Sequence, residues 1–291
     1  MKEKTEAIIN VLLCVFLWSL IPVTAKIGQT SLDTIQYLSY SSFTSFVTLT
    51  VISLVSGRIV HVLTYSLKDW LVITCLGLLG TFVYYLLLYF GYSKAGAIEV
   101  LIIQYTWPFL IVLLSRIILK EKIGLSKLIS VILGFAGVLS VLSAGDISTI
   151  SISSPQVLLW VFIGALCFAL FSVLSKRVEK EPVSLTAVYY LAATAASAVT
   201  LMMRGSFIIP QGSQWLSILI NGMFINGISY LLWIRALRLA EASFVAPFVY
   251  IVPVLSAIYL VIFFREPMYI TTVAGFILVV TAGLVNSLRS K

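Results

Sequence analysis

Charge is what this chain has least of. Its 291 residues include 19 Lys and Arg, 11 Asp and Glu and one His, so that 10% are charged while 60% are apolar; a soluble domain carries about 25% and roughly 45–50%. Water cannot be the only solvent for such a sequence. Histidine and cysteine are nearly missing too. His61 stands alone in a loop, and Cys14, Cys75 and Cys167 have neither paired nor metal-ligand spacing. No metal site and no cofactor are expected, and the nucleophile with a base, or the metal set, that a membrane-embedded enzyme needs is not offered. A Gly-rich phosphate loop of the Walker type is absent as well, so nothing points to primary energy use. The roughly 10-residue alternating strands of an outer-membrane barrel do not occur either.

What is present are long uncharged runs. Stretches without Asp, Glu, Lys or Arg cover 7–25, 34–57, 70–93, 128–145, 147–175, 182–203, 205–234, 242–264 and 267–288, and a further run between Lys94 and Arg116 is broken only by Glu99. Each is near the roughly 20 residues that cross a hydrocarbon core. Backbone in lipid must satisfy itself, so the runs predict ten transmembrane helices and an all-α polytopic membrane protein.

The basic excess, formally +8, falls at helix ends and reads as orientation, not as nucleic-acid binding. With the N-terminus inside, one side collects Lys2, Lys4, Arg58, Lys68, Arg116, Lys120, Lys122, Lys127, Lys176, Arg177, Lys180, Arg235, Arg238, Arg289 and Lys291; the other has only Lys26, Lys94, Arg204 and Arg265. Cytoplasmic loops are the basic ones. Both termini are therefore expected in the cytoplasm, in a multi-pass protein of the inner (plasma) membrane.

The chain also repeats itself. A shift of 145 residues brings Tyr85-Leu86-Leu87 onto Tyr230-Leu231-Leu232, Tyr105 onto Tyr250, Pro108 onto Pro253 and Glu121 onto Glu266; near the start a shift of 150 sets Trp18 against Phe168 and Lys26 against Lys176. A unit of five helices crosses an odd number of times, so its second copy enters inverted. The expected units are 1–146 and 147–291, joined by the serine-rich segment 144–155. Inverted repeats give two gates related by a pseudo-two-fold axis, around a central cavity that opens to either side.

Ten helices as five plus five in about 290 residues, with the Lys120-Glu121 and Arg265-Glu266 pairs after the fourth and ninth spans, resemble the drug/metabolite transporter superfamily and its EamA-domain exporters over the whole chain. The segment Glu99-Val-Leu-Ile-Ile-Gln-Tyr-Thr-Trp-Pro108 is similar to the fourth-helix motif of the YddG-type aromatic amino-acid exporter branch. The resemblance implies that Trp107, Tyr84 and Tyr85 line the cavity. Two departures stand out: Gln104 where that branch usually has asparagine, and Tyr85 where a histidine is expected, which removes a titratable group.

Single residues sharpen the picture. Trp107 lies mid-span, away from the interface where membrane tryptophans collect; it reads as cavity lining or as packing, as do Trp18 and Phe168. Pro108 and Pro253 should kink their helices at mid-depth and free the carbonyls of Gln104 and Val249, which places Gln104 and Tyr250 beside the solute. Glu99, the acidic residue inside a span, is a candidate for coupling or gating, or a structural group paired with Lys94. Lys26 and Lys176 end equivalent helices and read as dipole caps or as gate contacts. Glu121 and Glu266 read as architectural. Gly77 with Gly80, Gly134 with Gly137, and Gly275 with Gly283 read as close helix contacts.

The sequence thus predicts a secondary transporter that exports amino acids with aromatic or other large apolar side chains, or related small metabolites, by alternating access. Export of other metabolites or drugs, a non-transporting assembly or channel subunit, and a membrane-embedded enzyme are the alternatives. Its partners are a small-molecule solute and the lipid bilayer, with no nucleic acid; a monomer is one expected state.

Overall fold

Hydrocarbon offers a peptide group no partner, so a spanning backbone bonds to itself, and the chain does so in helices throughout. The computed structural model describes residues 2–143, 154–205, 207–265 and 268–288. Most of the serine-rich connection, 144–153, and Glu266 lie outside the described residues. Among the described residues, nine helices are long and apolar enough to cross a membrane: α1 (Lys2–Gly28), α2 (Thr34–Val55), α3 (Leu67–Lys94), α4 (Ile98–Ile118), α5 (Leu125–Leu142), α6 (Pro155–Ser175), α7 (Pro182–Arg204), α8 (Ser213–Leu239) and α9 (Ala242–Phe264). A tenth apolar helix, α10 (Ile270–Asn286), is shorter. The chain is a multi-pass membrane protein. Two five-helix repeats of opposite orientation result; the start of α1 and the end of α10 meet at Phe244, with Lys4 Nζ 4.7 Å from its ring centroid and Asn286 donating to its carbonyl, on what is here called the N face.

Five of the six helices that meet at the centre are irregular. Pro22 lacks an N–H, and α1 breaks at Ser19–Leu20 between segments Lys2–Trp18 and Ile21–Gly28. The Ser19 carbonyl is taken by the Ser256 hydroxyl of α9 at 2.9 Å, which answers the polar accounting that lipid imposes. In α3 the turn Leu78–Val83 is π-helical, and in α8 so is Asn221–Ile228; a shift of 145 residues lays one on the other. Such bulges concentrate at functional sites. The fourth and ninth spans also correspond: α4 breaks at Tyr105–Thr106, and α9 passes through a 3-10 stretch at Ala246–Tyr250.

Glycines set the spacing between the repeats. A Cβ on Gly77 would lie 2.7 Å from the Tyr189 Cα of α7, and one on Gly222 would lie 2.8 Å from the Ser41 carbonyl of α2. Gly77 and Gly222 are counterparts, as are α7 and α2, so one contact is built twice. Gly137 and Gly275 likewise bring α5 onto α10, each facing the other's carbonyl. Gly283, by contrast, has open space where its side chain would be and is not a packing residue.

Candidate functional site

A small cavity of about 40 Å³ lies among α1, α3, α4, α6, α8 and α9. Its walls are counterpart pairs: Trp18 with Phe168, Tyr85 with Tyr230, Gln104 with Val249, and Trp107 with Val252. The cavity therefore straddles the axis relating the repeats. Ile21, Tyr84 and Tyr105 complete it from the first repeat alone. The two walls consequently differ, with an amide and three phenols on one side and two valines and a single phenol on the other. None of these lining residues carries a charge.

Trp18 meets four of the central rings. Its centroid lies 6.0 Å from Trp107, 6.0 Å from Phe168, 5.8 Å from Tyr230 and 5.4 Å from Trp233, mostly edge to face, the geometry aromatic quadrupoles favour. Trp107 closes on Phe168 at 4.7 Å. Polar groups run beside this stack. The Tyr230 hydroxyl donates to Tyr85 at 3.2 Å, Tyr85 reaches toward Asn226 Oδ1 at 3.5 Å, and Gln104 Nε2 donates to the Tyr84 hydroxyl at 2.8 Å. A water molecule occupies about 30 Å³ of liquid, so in this conformation the cavity is too small for an organic solute.

Of the residues singled out from sequence, Trp18, Tyr84, Tyr85, Gln104, Trp107 and Phe168 border this cavity. Tyr250 does not. It is fully buried with its ring against Gly134 and Phe135 of α5, because the 3-10 turn before it rotates the side chain off the axis. Pro108 and Pro253 stand just after the irregular turns of α4 and α9, in the first turn of the segments Trp107–Ile118 and Ile251–Phe264, where a missing N–H costs little. The Ile251 N–H faces the Phe248 and Val249 carbonyls. Glu99 is 6% exposed in the first turn of α4, at the positive end of the helix dipole, and belongs to the far end of the molecule, not to the cavity. Lys26 is also at the far face, its Nζ 4.3 Å from the Phe264 ring centroid.

Lys176 belongs to a polar latch on the N face. The Glu121 carboxylate accepts from the Ala242 N–H (2.8 Å), the Ser243 N–H (2.9 Å) and the Ser243 hydroxyl (2.7 Å), capping α9 from the α4–α5 turn. Lys176 Nζ stands 3.4 Å from Glu121 and donates to the Ala240 carbonyl. Lys127 of α5 pairs with Glu241 and donates to Ser243 Oγ at 2.8 Å. Burial works against the Glu121 carboxylate, but the Ser243 and Ala242 donors with Lys176 outweigh it and hold its pKa below the ordinary glutamate value. Burial also lowers the pKa of Lys176, which Glu121 offsets in part. At the far face the counterparts of Glu241, Ser243 and Lys127 are Gly96, Ile98 and Thr272, so this second charged pair exists on one face only. A groove of about 660 Å³ bordered by Asp33, Trp160 and Arg204 opens on that far face, and its Tyr89 ring lies 5.8 Å from Tyr85.

The sequence reading missed several of these groups. Tyr230 was visible as the repeat counterpart of Tyr85, and that signal could have placed it at the axis. Val249 and Val252 were findable in the same way, from Gln104 and Trp107. Lys127 and Glu241 carried no local signal, since only the fold brings them together.

The assembly is that of a membrane protein built from inverted repeats, with a cavity where the repeats meet. The EamA-like transporter family matches residues 5–143 and 156–288, once in each half. The chain belongs to this family, within the drug/metabolite transporter superfamily, and is a transporter of small-molecule solutes. It is 29% identical over 225 residues to the uncharacterized transporter YyaM of Bacillus subtilis (strain 168), covering 73% of this chain and 71% of that one. It is 27% identical over 191 residues to the aromatic amino acid exporter YddG of Ancylobacter novellus, covering 64% of this chain and 65% of the exporter, just under two thirds. A solved crystal structure of another protein shares the fold, with a TM-score of 0.87 at 21% identity over 98% of this chain and 97% of that one.

Proposed function

We propose that this protein exports net-neutral small solutes, foremost amino acids with aromatic or large apolar side chains, across the inner (plasma) membrane by alternating access, and that it is not an enzyme. The observation that carries this reading is the uncharged aromatic cavity on the repeat axis. A free ion would lose several kcal/mol of hydration there with no counter-charge, whereas the ammonium and carboxylate of a zwitterion attract each other and offset part of that cost, the rest falling to hydrogen bonds and an apolar wall. The N face is taken as cytoplasmic from its excess of Lys and Arg, with both termini on that side. Residues 1–146 and 147–291 act as the two rocking units, and one chain supplies the whole site, so a monomer suffices.

Movement is built into the lining helices. Five of the six, α1, α3, α4, α8 and α9, are broken, π-bulged or tightened at mid-depth; these are points where rings can part without unwinding a regular helix. The latch keeps the cytoplasmic side shut, and the groove beside Tyr89 is the approach from outside. Name-level support for the substrate comes from the relative described as an aromatic amino acid exporter.

A ligand panel in detergent tests the reading. Aromatic amino acids at 100 times Kd should stabilise the protein by about 2.7 kcal/mol, and Trp107→Ala should abolish that gain. Stabilisation by organic anions or cations, with none by amino acids, would overturn the substrate assignment.

A further inference from the structure

The cavity holds one polar group that the fold leaves unserved. Trp18 is 5% exposed, lines the cavity, and its Nε1–H meets no acceptor among the described residues. Trp233, the neighbouring indole, donates to Ser172 Oγ at 3.1 Å, so the fold does satisfy an indole close by. The other buried polar atoms without partners sit on Ser42, Tyr65, Tyr190, Tyr250, Thr271 and Asn286, and none of these borders the cavity. An unserved donor at mid-membrane is costly, and it persists where something else completes it.

The asymmetry of the walls says what that is. Phe168, the repeat counterpart of Trp18, has no donor, so the N–H exists on one side of the axis only. Gln104 Oε1 receives only a 3.4 Å contact from Tyr92 and keeps acceptor capacity for an ammonium group. Its counterpart, Val249, and Val252 form an apolar wall. We infer that Trp18 is a specificity residue whose indole N–H donates to the carboxylate of a zwitterionic solute, with the ammonium group on Gln104 and the apolar side chain against Val249 and Val252. This rests on the amino-acid reading above and adds to it the orientation of the solute.

Replacing the indole by 3-benzothienylalanine at position 18 swaps N–H for sulfur and keeps the bicyclic ring, and Trp18→Phe removes the donor more simply. Equilibrium binding of phenylalanine should weaken roughly 10- to 100-fold, the loss of one hydrogen bond to a charged acceptor. The melting temperature of the ligand-free benzothienylalanine variant should stay level or rise, since the ring is kept and no internal partner is lost, whereas Trp18→Phe also gives up packing. Unchanged phenylalanine affinity, or a ligand-free benzothienylalanine variant destabilised in parallel with the loss of binding, would overturn the assignment of Trp18. If the unsubstituted protein binds neither phenylalanine nor any other zwitterionic amino acid, the substrate reading itself fails, a result distinct from a failure of Trp18 alone.

Discussion

Tyr85 and Tyr230 occupy the same position of the two repeats and meet at the centre of the molecule, the Tyr230 hydroxyl donating to that of Tyr85 at 3.2 Å. Two copies of one residue can touch only on the axis that relates them, so this bond marks where the halves join. Tyr85→Phe or Tyr230→Phe should each cost about 0.5–1.5 kcal/mol of stability. The double variant should cost about as much as either alone, because a single bond is shared. Thermal unfolding in detergent reads this; additive losses would mean that the two hydroxyls do not serve one another.

The glycine contacts are built twice and should fail alike. Gly77→Ala drives a methyl into the Tyr189 backbone and Gly222→Ala drives one into α2; each should destabilise by about 1–3 kcal/mol. Gly283→Ala meets open space and should be neutral or slightly stabilising, since alanine is the better helix former by about 1 kcal/mol. Equal effects at all three positions would contradict the packing described.

The latch predicts a one-sided gate. Glu121→Gln leaves Lys176 without its counter-charge, and closure on the N face should weaken by on the order of 2 kcal/mol, less than a fully buried pair because Lys176 keeps 21% of its side chain exposed. Thiol labelling of a cysteine placed beside the cavity should become faster from the N face. The pH dependence follows from the lowered Glu121 pKa. Closure is at full strength above the ordinary value of 4.5 and is lost as pH falls through the depressed one. Labelling should therefore be flat across the neutral range and accelerate only in acid; a change near pH 7 would assign the gate to another group.

Much of this was legible in the residues. Long uncharged runs gave the helices, and the 145-residue shift gave the inverted halves, because lipid tolerates few alternatives to a self-bonded span. Six lining residues followed from a motif and from repeat pairing. Tyr250 did not, since its direction depends on a 3-10 turn that no local pattern announces. The latch escaped for another reason. Lys127 and Glu241 are 114 positions apart, and each looked like an ordinary charge at a helix end. Glu266, which pairs with Glu121 in the repeat, lies outside the described residues.

The central claim is that a neutral solute crosses through the ring-lined cavity as the halves rock. Counterflow in proteoliposomes measures it most directly: radiolabelled phenylalanine outside, unlabelled phenylalanine trapped inside. The account predicts uptake stimulated by the trapped amino acid and lost in Trp107→Ala. Uptake indifferent to what is trapped, or none across a broad panel of amino acids, would contradict it.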